Sequence, residues 1–189
     1  MKKLGIFMAD GCEEIEGLTV VDLVRRTGQI DITTISISDS KQVTGSHKIT
    51  FFTDALASEE DFDALDGIIL PGGMPGTLHL GENETVNAVI KKFAKEGKMV
   101  AAICAAPSVL GAAGLLEGRH ATCYPGFEEK LSGAEVLEDA VVIDGHIITS
   151  RGMGTAMDFG LAIIWHLLDD EMMEEIKKGS MYDIEWEVM

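Results

Sequence analysis

The decisive stretch of this sequence is MVAAICAAPSVLGAAGLL, residues 99–116, which carries no charge. Its first part suits a buried strand, and Pro107 is typical of the first position of a helix. We therefore predict a strand that ends at Cys104, a tight turn and then a helix. A side chain at such an elbow lies in strained backbone near the positive end of a helix dipole. Both conditions favour a reactive thiolate.

The same stretch is about as long as a membrane-spanning helix. Pro107 and Ser108 interrupt it, however, and its many alanines and glycines make it only weakly hydrophobic. A secretory signal is also not expected, because Asp10, Glu13 and Glu14 follow too soon after the first apolar residues. We predict no membrane role for this chain.

Composition predicts one soluble domain over residues 1–189, since 46% of the residues are apolar and 25% are charged. The net charge of −17 argues against binding to nucleic acid or to anionic membrane surfaces. The three cysteines are widely spaced, which predicts reduced thiols in the cytoplasm. No C-x-x-C pair or His-rich metal-ligand spacing is present, so we expect no metal site. No glycine loop has the G-x-G-x-x-G form after the first strand, so a bound dinucleotide cofactor is not expected.

Strands alternate with helices along the chain, which predicts a mostly parallel sheet with helices on both faces. Apolar Ile15, Leu18, Val21 and Val24 are expected to form the buried face of the first helix. The predicted strands are 2–9, 30–37, 64–70 and 99–104, with hairpins over 41–54 and 140–149 and helices over 14–27, 84–95, 155–169 and 171–178.

Three loops, 10–16, 71–76 and 104–107, follow the carboxyl ends of predicted strands, where ligands bind in such sheets. Cys104 is either a nucleophile or a small core residue. The glycines at 72 and 73 either present backbone N–H groups to a ligand oxygen or form a plain turn. A buried Glu16 carboxyl would stay protonated and donate to a thiolate.

Four separated motifs occur in order: GCEEIE (11–16), LPGG (70–73), AAICAAP (101–107) and TSRGMGT (149–155). In these motifs the chain resembles the ThiJ/PfpI superfamily, in the branch that holds the Parkinson-disease-associated protein and its bacterial relatives. The resemblance implies a flavodoxin-like α/β sandwich that forms a homodimer.

The resemblance also implies roles for individual residues. Cys104 is the reactive cysteine and Glu16 its protonated carboxyl partner, while Gly73 and Ala105 offer backbone N–H groups to a bound oxyanion. Arg151 lies near the active site, where it either stabilises negative charge or holds the turn in place.

The chain departs from the family pattern at three positions. Tyr124 stands where several members have a histidine, and tyrosine is a poor general base at neutral pH. His47 stands where some relatives have a pocket arginine. Cys123 is either a resolving thiol for an oxidised Cys104 or a small buried residue, and strand alternation lets only one of residues 123 and 124 face the pocket.

The implied activity is that of a cofactor-independent, cysteine-dependent glyoxalase or deglycase, which converts methylglyoxal-type dicarbonyls to 2-hydroxy acids. The alternative is a cysteine redox sensor or an oxidative-stress-protective protein without turnover. A peptidase is disfavoured because the histidine is missing.

Overall fold

Seven strands form one sheet in the computed structural model, which describes residues 1–182. Residues 183–189 of the predicted domain lie outside the described residues. The strands are β1 (Lys2–Met8), β2 (Ile30–Ser36), β3 (Gln42–Thr44), β4 (Thr50–Phe52), β5 (Ala55–Leu56), β6 (Gly67–Leu70), β7 (Met99–Ile103), β8 (His120–Ala121), β9 (Glu135–Val136), β10 (Val141–Asp144) and β11 (Ile147–Ser150). The helices are α1 (Glu14–Arg26), α2 (Gly76–Glu82), α3 (Glu84–Glu96), α4 (Pro107–Ala112), α5 (Ala156–Leu167) and α6 (Asp170–Gly179).

The main sheet has the strand order β10-β11-β7-β6-β1-β2-β5. All neighbouring strands are parallel except β10 and β11, which form the predicted hairpin. The β3–β4 pair is an antiparallel hairpin outside this sheet. The predicted mostly parallel α/β fold is confirmed.

Side chains of successive residues in β1 enter two different hydrophobic cores. Leu4 and Ile6 belong to the core that α1, α5 and α6 cover, whereas Phe7 belongs to the core under α3 and α4. This alternation follows from the pleat of a strand whose two faces are both buried. The prediction of helices on both faces is also confirmed.

The predicted buried face of α1 is partly wrong. Val21 and Val24 are buried, but Ile15 is 49% exposed and Leu18 is 37% exposed. The helix turns Gly17 towards the sheet instead, where a Cβ atom would lie only 2.8 Å from the Met8 side chain. The face of α1 that includes Gly17, Val21 and Val24 is therefore the buried one, and Ile15 and Leu18 lie outside it.

Helix α2 is the main element that the sequence did not predict, because the glycines around residue 76 suggest only a turn. The uncharged stretch 99–116 yields β7 and the short helix α4, as predicted. Among residues 1–182, no helix has both the length and the apolar character that crossing a membrane requires.

Candidate active site

Cys104 occupies the elbow between β7 and α4 and has a φ of 65°. This left-handed conformation is rare for residues other than glycine and costs about 1–3 kcal/mol. Two backbone hydrogen bonds hold it: the Cys104 N–H donates to the Ser150 carbonyl at 3.0 Å, and its carbonyl accepts from the Tyr124 N–H at 2.8 Å. The strained elbow predicted from the sequence is therefore present.

Glu16, in the first turn of α1, lies beside the sulfur of Cys104 and shares a hydrogen bond with it. The residue is only 1% exposed, and its Oε2 atom accepts a hydrogen bond from the Gly72 N–H at 2.9 Å. Burial raises the pKa of this carboxyl to about 7, although the bonds from Cys104 and Gly72 oppose the rise. Glu16 is therefore an acid–base group that titrates near neutral pH.

Gly72 makes the contact between these two side chains sterically possible, a role that its motif did not reveal. A Cβ atom at this position would lie 2.5 Å from the Cys104 Cβ and 2.7 Å from the Glu16 Oε2. Both distances are shorter than any van der Waals contact, so a larger residue would push the pair apart. Its N–H also fixes the orientation of the Glu16 carboxyl.

The pKa of Cys104 argues against a resident thiolate. Burial and the neighbouring Glu16 carboxylate raise the pKa of this thiol to about 12, whereas the N–H groups of Gly73 and Ala105 lower it. The dipole of the short helix α4 is thus outweighed by desolvation and by like charge. Two adjacent negative charges are unfavourable, so the two groups do not both ionise near neutral pH.

Gly73 and Ala105 both direct backbone N–H groups at the sulfur of Cys104. These donors come from different loops, one after β6 and one at the start of the elbow. The backbone of Gly73 has a φ of 86°, and a Cβ atom there would lie 2.2 Å from the Glu13 nitrogen. The structure thus brings the predicted donors to the reactive atom, and their role towards a bound oxyanion stays a prediction.

An open cleft of about 600 Å³ lies above the sulfur. Arg151 lines it, and its guanidinium donates to the Glu138 carbonyl at 2.7 Å. Tyr124 is half-exposed and also lines the cleft, and one of its ring carbons is 3.3 Å from where a Cβ of Gly152 would lie. The rest of the wall is mostly apolar and includes Met74, Pro125, Phe127 and Met153.

The structure directs Tyr124, and not Cys123, into the cleft. Cys123 is 3% exposed and belongs to the hydrophobic core on the α3–α4 side, whereas Cys104 packs against the opposite core. Burial and the charge of Glu128 raise the pKa of the Cys123 thiol to about 11. Cys123 therefore fits the buried small residue better than the resolving thiol.

Glu14, in the first turn of α1, contacts the turn of the β3–β4 hairpin. The residue is 2% exposed, and its Oε1 atom accepts hydrogen bonds from the His47 N–H at 2.9 Å and the Ile49 N–H at 3.2 Å. It therefore anchors the turn of the β3–β4 hairpin to α1. No local pattern predicts this contact, because the partners are more than thirty residues apart.

Glu13, Glu14 and His47 are the one group of acidic, cysteine or histidine side chains in residues 1–182 that is close enough to share a metal ion. His47, at the position expected for a pocket arginine, is 69% exposed through its side chain. Both carboxylates already accept hydrogen bonds from Ser46 or His47. We therefore describe this group as a hydrogen-bonded cluster.

Comparison with known proteins extends the four-motif resemblance to almost the whole chain. The sequence pattern of the DJ-1/PfpI family matches residues 2–166. This chain belongs to the DJ-1/PfpI family. Protein DJ-1 homolog B of Arabidopsis thaliana is 41% identical over 93% of this chain, which spans only 40% of that longer protein.

Two other family members are similar over most of their own length. A protein named as a deglycase from Thermococcus kodakarensis is 36% identical, over 80% of this chain and 91% of the relative. The crystal structure of a mutant DJ-1 superfamily protein from Salmonella typhimurium superposes with a TM-score of 0.92 at 33% identity, covering 97% of this chain and all of that one. Sequence and fold therefore both support the assignment to the family.

Proposed function

We propose that this chain is a cofactor-independent glyoxalase or deglycase-like enzyme that acts on small dicarbonyls through Cys104. The observation that carries the proposal is the hydrogen bond between Cys104 and Glu16, whose carboxyl has a pKa of about 7, at the base of an open cleft. A base with this pKa suits proton transfer at neutral pH. The relative named as a deglycase supports the same reaction class.

The first half of the proposed reaction joins the sulfur to the aldehyde carbon. Glu16 takes the thiol proton as the sulfur attacks, which avoids a free thiolate beside a carboxylate. The aldehyde oxygen becomes an alkoxide that the N–H groups of Gly73 and Ala105 stabilise, and Glu16 returns the proton to it. The product is a hemithioacetal with the neighbouring ketone still intact.

The second half converts this adduct to a 2-hydroxy acid. Glu16 moves one proton from the former aldehyde carbon to the ketone oxygen, and a second proton from the hydroxyl to the former ketone carbon. The intermediate of this exchange is an enediol, and its product is a thioester of the 2-hydroxy acid on Cys104. Water then cleaves the thioester, so that the sum is one dicarbonyl plus one water giving one 2-hydroxy acid.

Purified protein and methylglyoxal test the proposal, with lactate formation and loss of the dicarbonyl as the two readouts. We expect turnover by the wild type and none by Cys104→Ser, because serine is far less nucleophilic beside the same base. Equal lactate formation by the serine variant would refute a reaction through Cys104.

A cysteine redox function is the second candidate. The N–H groups at the sulfur and a protonated Glu16 would donate to the oxygens of a sulfinate. The raised pKa of Cys104 argues against rapid oxidation, because the thiolate is the form that peroxide attacks. Intact-mass spectrometry after mild peroxide treatment distinguishes the two functions: selective oxygen addition at Cys104 without dicarbonyl turnover would favour the redox function.

We also propose that the chain forms a homodimer. Ile15, Leu18 and Ile49 are exposed and together line a shallow cleft on α1 and the β3–β4 hairpin. Exposed apolar patches of this kind are typical of protein contacts. Analytical ultracentrifugation should show a dimer for the wild type and a monomer for Leu18→Asp; a monomeric wild type would exclude the dimer.

We propose the cytoplasm as the location of the protein, because Cys12, Cys104 and Cys123 are all free thiols. Cell fractionation followed by immunoblotting tests this location.

A further inference from the structure

The final step of the proposed reaction needs a base that can reach both the thioester and solvent. Glu16 is 1% exposed and lies against Gly72 and the sulfur, so little of its carboxyl is open to solvent. Glu13, three residues earlier, lines the same cleft and has 13% of its side chain exposed. Of the two carboxyl groups, that of Glu13 is therefore the more accessible to solvent.

The structure holds Glu13 firmly in place. Its N–H donates to the Gly72 carbonyl at 2.9 Å, which fixes its backbone next to the loop that carries the Gly73 N–H. Its Oε2 atom accepts from the Ser46 hydroxyl at 3.2 Å and lies 3.3 Å from the His47 Nδ1. The second oxygen, Oε1, has no hydrogen-bond partner among residues 1–182, so it is available to a water molecule.

Charge also connects Glu13 with the reactive pair, because its carboxylate contributes to the raised pKa of Glu16. Glu13 is thus near enough to influence the site electrostatically, yet it makes no hydrogen bond to Cys104 or Glu16. This separation allows the two carboxyl groups to act in different steps.

We propose that Glu13 is the general base for hydrolysis of the thioester, and that Ser46 and His47 are positioning residues that hold it. This assignment rests on the proposed dicarbonyl reaction. Glu13 takes one proton from water as the water oxygen bonds to the thioester carbon. The carbon–sulfur bond then breaks, the sulfur takes up the acid proton of the product, and Glu13 releases its own proton to solvent. The step yields the 2-hydroxy carboxylate, one proton and the free thiol.

The test compares wild type and Glu13→Gln with methylglyoxal, following dicarbonyl loss, lactate formation and the intact mass of the quenched protein. We expect one equivalent of dicarbonyl to be consumed by the variant, after which turnover falls at least about 100-fold, as for removal of a general base. The variant should accumulate one dicarbonyl mass on Cys104. After unreacted dicarbonyl has been removed, hydroxylamine, a nucleophile that needs no base, should release the acyl group as a hydroxamate and restore the mass of the free protein.

Three controls keep the outcomes distinct. Glu96→Gln, an exposed glutamate of α3, should behave as the wild type. Glu13→Asp should retain part of the hydrolysis rate. If the glutamine variant does not fold, Ser46→Ala provides the same test with a smaller accumulation, because it removes only a hydroxyl that holds Glu13.

Wild-type rates in Glu13→Gln with no adduct would overturn the assignment while leaving the proposed function intact. A folded variant that never forms the adduct would also overturn it, because Glu13 would then act before the thioester. Absence of turnover in the wild type would instead overturn the dicarbonyl reaction itself, and with it this inference.

Discussion

Replacement of Glu16 by glutamine should move thiol reactivity and turnover in opposite directions. Glutamine has nearly the same shape and retains an oxygen that can accept from the Gly72 N–H. It removes the negative charge beside Cys104, which is the second largest cause of the raised pKa of that thiol after burial. We therefore expect the pKa of Cys104 to fall from about 12.

The size of the fall follows from the separation of the two charges. Two unit charges about 4 Å apart interact by about 4 kcal/mol at the effective dielectric near a protein surface, which equals about three pKa units. Cys104 is only half-buried, so solvent screening reduces this value. We expect a fall of about one to three pKa units, and a correspondingly larger thiolate population below the pKa.

The rate of iodoacetamide alkylation, measured across a range of pH, reports this change. Peptide mapping distinguishes the alkylation of Cys104 from that of Cys12 and Cys123. Glu16→Gln should be alkylated about 10- to 1,000-fold faster near pH 8. Its turnover of methylglyoxal should nevertheless fall about 100-fold or more, because the proton-transfer group is gone. Glu13→Gln is the matched control, and its alkylation rate should change by less than about tenfold.

One result would refute this reasoning. In that result, the pKa of the wild-type Cys104 thiol lies below the ordinary value for cysteine, and Cys104 of Glu16→Gln is alkylated more slowly than that of the wild type. A protonated Glu16 would then stabilise a resident thiolate. That outcome would restore the expectation drawn from the elbow and the helix dipole.

Three further predictions concern stability and the cleft. Gly72→Ala should lower the free energy of unfolding by about 1–3 kcal/mol in urea denaturation, because the new Cβ atom would lie 2.5 Å from the Cβ of Cys104. Gly81→Ala is the control: its new Cβ atom would have no neighbour closer than 3.7 Å, so the free energy of unfolding should change by less than about 1 kcal/mol. Burial alone raises the pKa of Glu14, but hydrogen bonds from its own backbone, Ile49 and His47 bring it below the ordinary value. The stabilisation by the Glu14 carboxylate is therefore present above the ordinary carboxyl pKa and is lost as pH falls through the lowered pKa of the folded protein. The wild type should be more stable than Glu14→Gln at neutral pH, and this difference should shrink in acid titrations monitored by circular dichroism. Tyr124→Phe should keep kcat/KM for methylglyoxal within about threefold, and a loss above about 100-fold would show that its hydroxyl takes part in proton transfer.

The sequence pattern was sufficient for the main layout of the fold. Apolar β-branched runs, the helix with Arg25 and Arg26 in its last turn, and the proline after the elbow each specify local structure independently of distant residues. Their alternation then leaves a parallel sheet as the arrangement that covers both faces. Helix α2 was missed because its glycines have low helix propensity, and tertiary packing overrides that preference.

The candidate site was only partly predictable. The elbow marks Cys104, and the family motifs mark Glu16, Gly73, Ala105 and Arg151. The anchoring of the hairpin by Glu14 could not be predicted, because it depends on a contact between residues far apart in the chain. The outward position of Ile15 likewise depends on which face of α1 packs against the sheet.

By itself, the sequence determined the α/β fold, the family and the identity of the cysteine at the elbow, because these follow from local propensity and from the order of the motifs. Only the tertiary structure decided which of residues 123 and 124 faces the cleft and that the pKa values of Cys104 and Glu16 are both raised. The physical reason is that desolvation and charge interaction depend on distances of a few ångströms between different elements, which residue types and spacing do not specify.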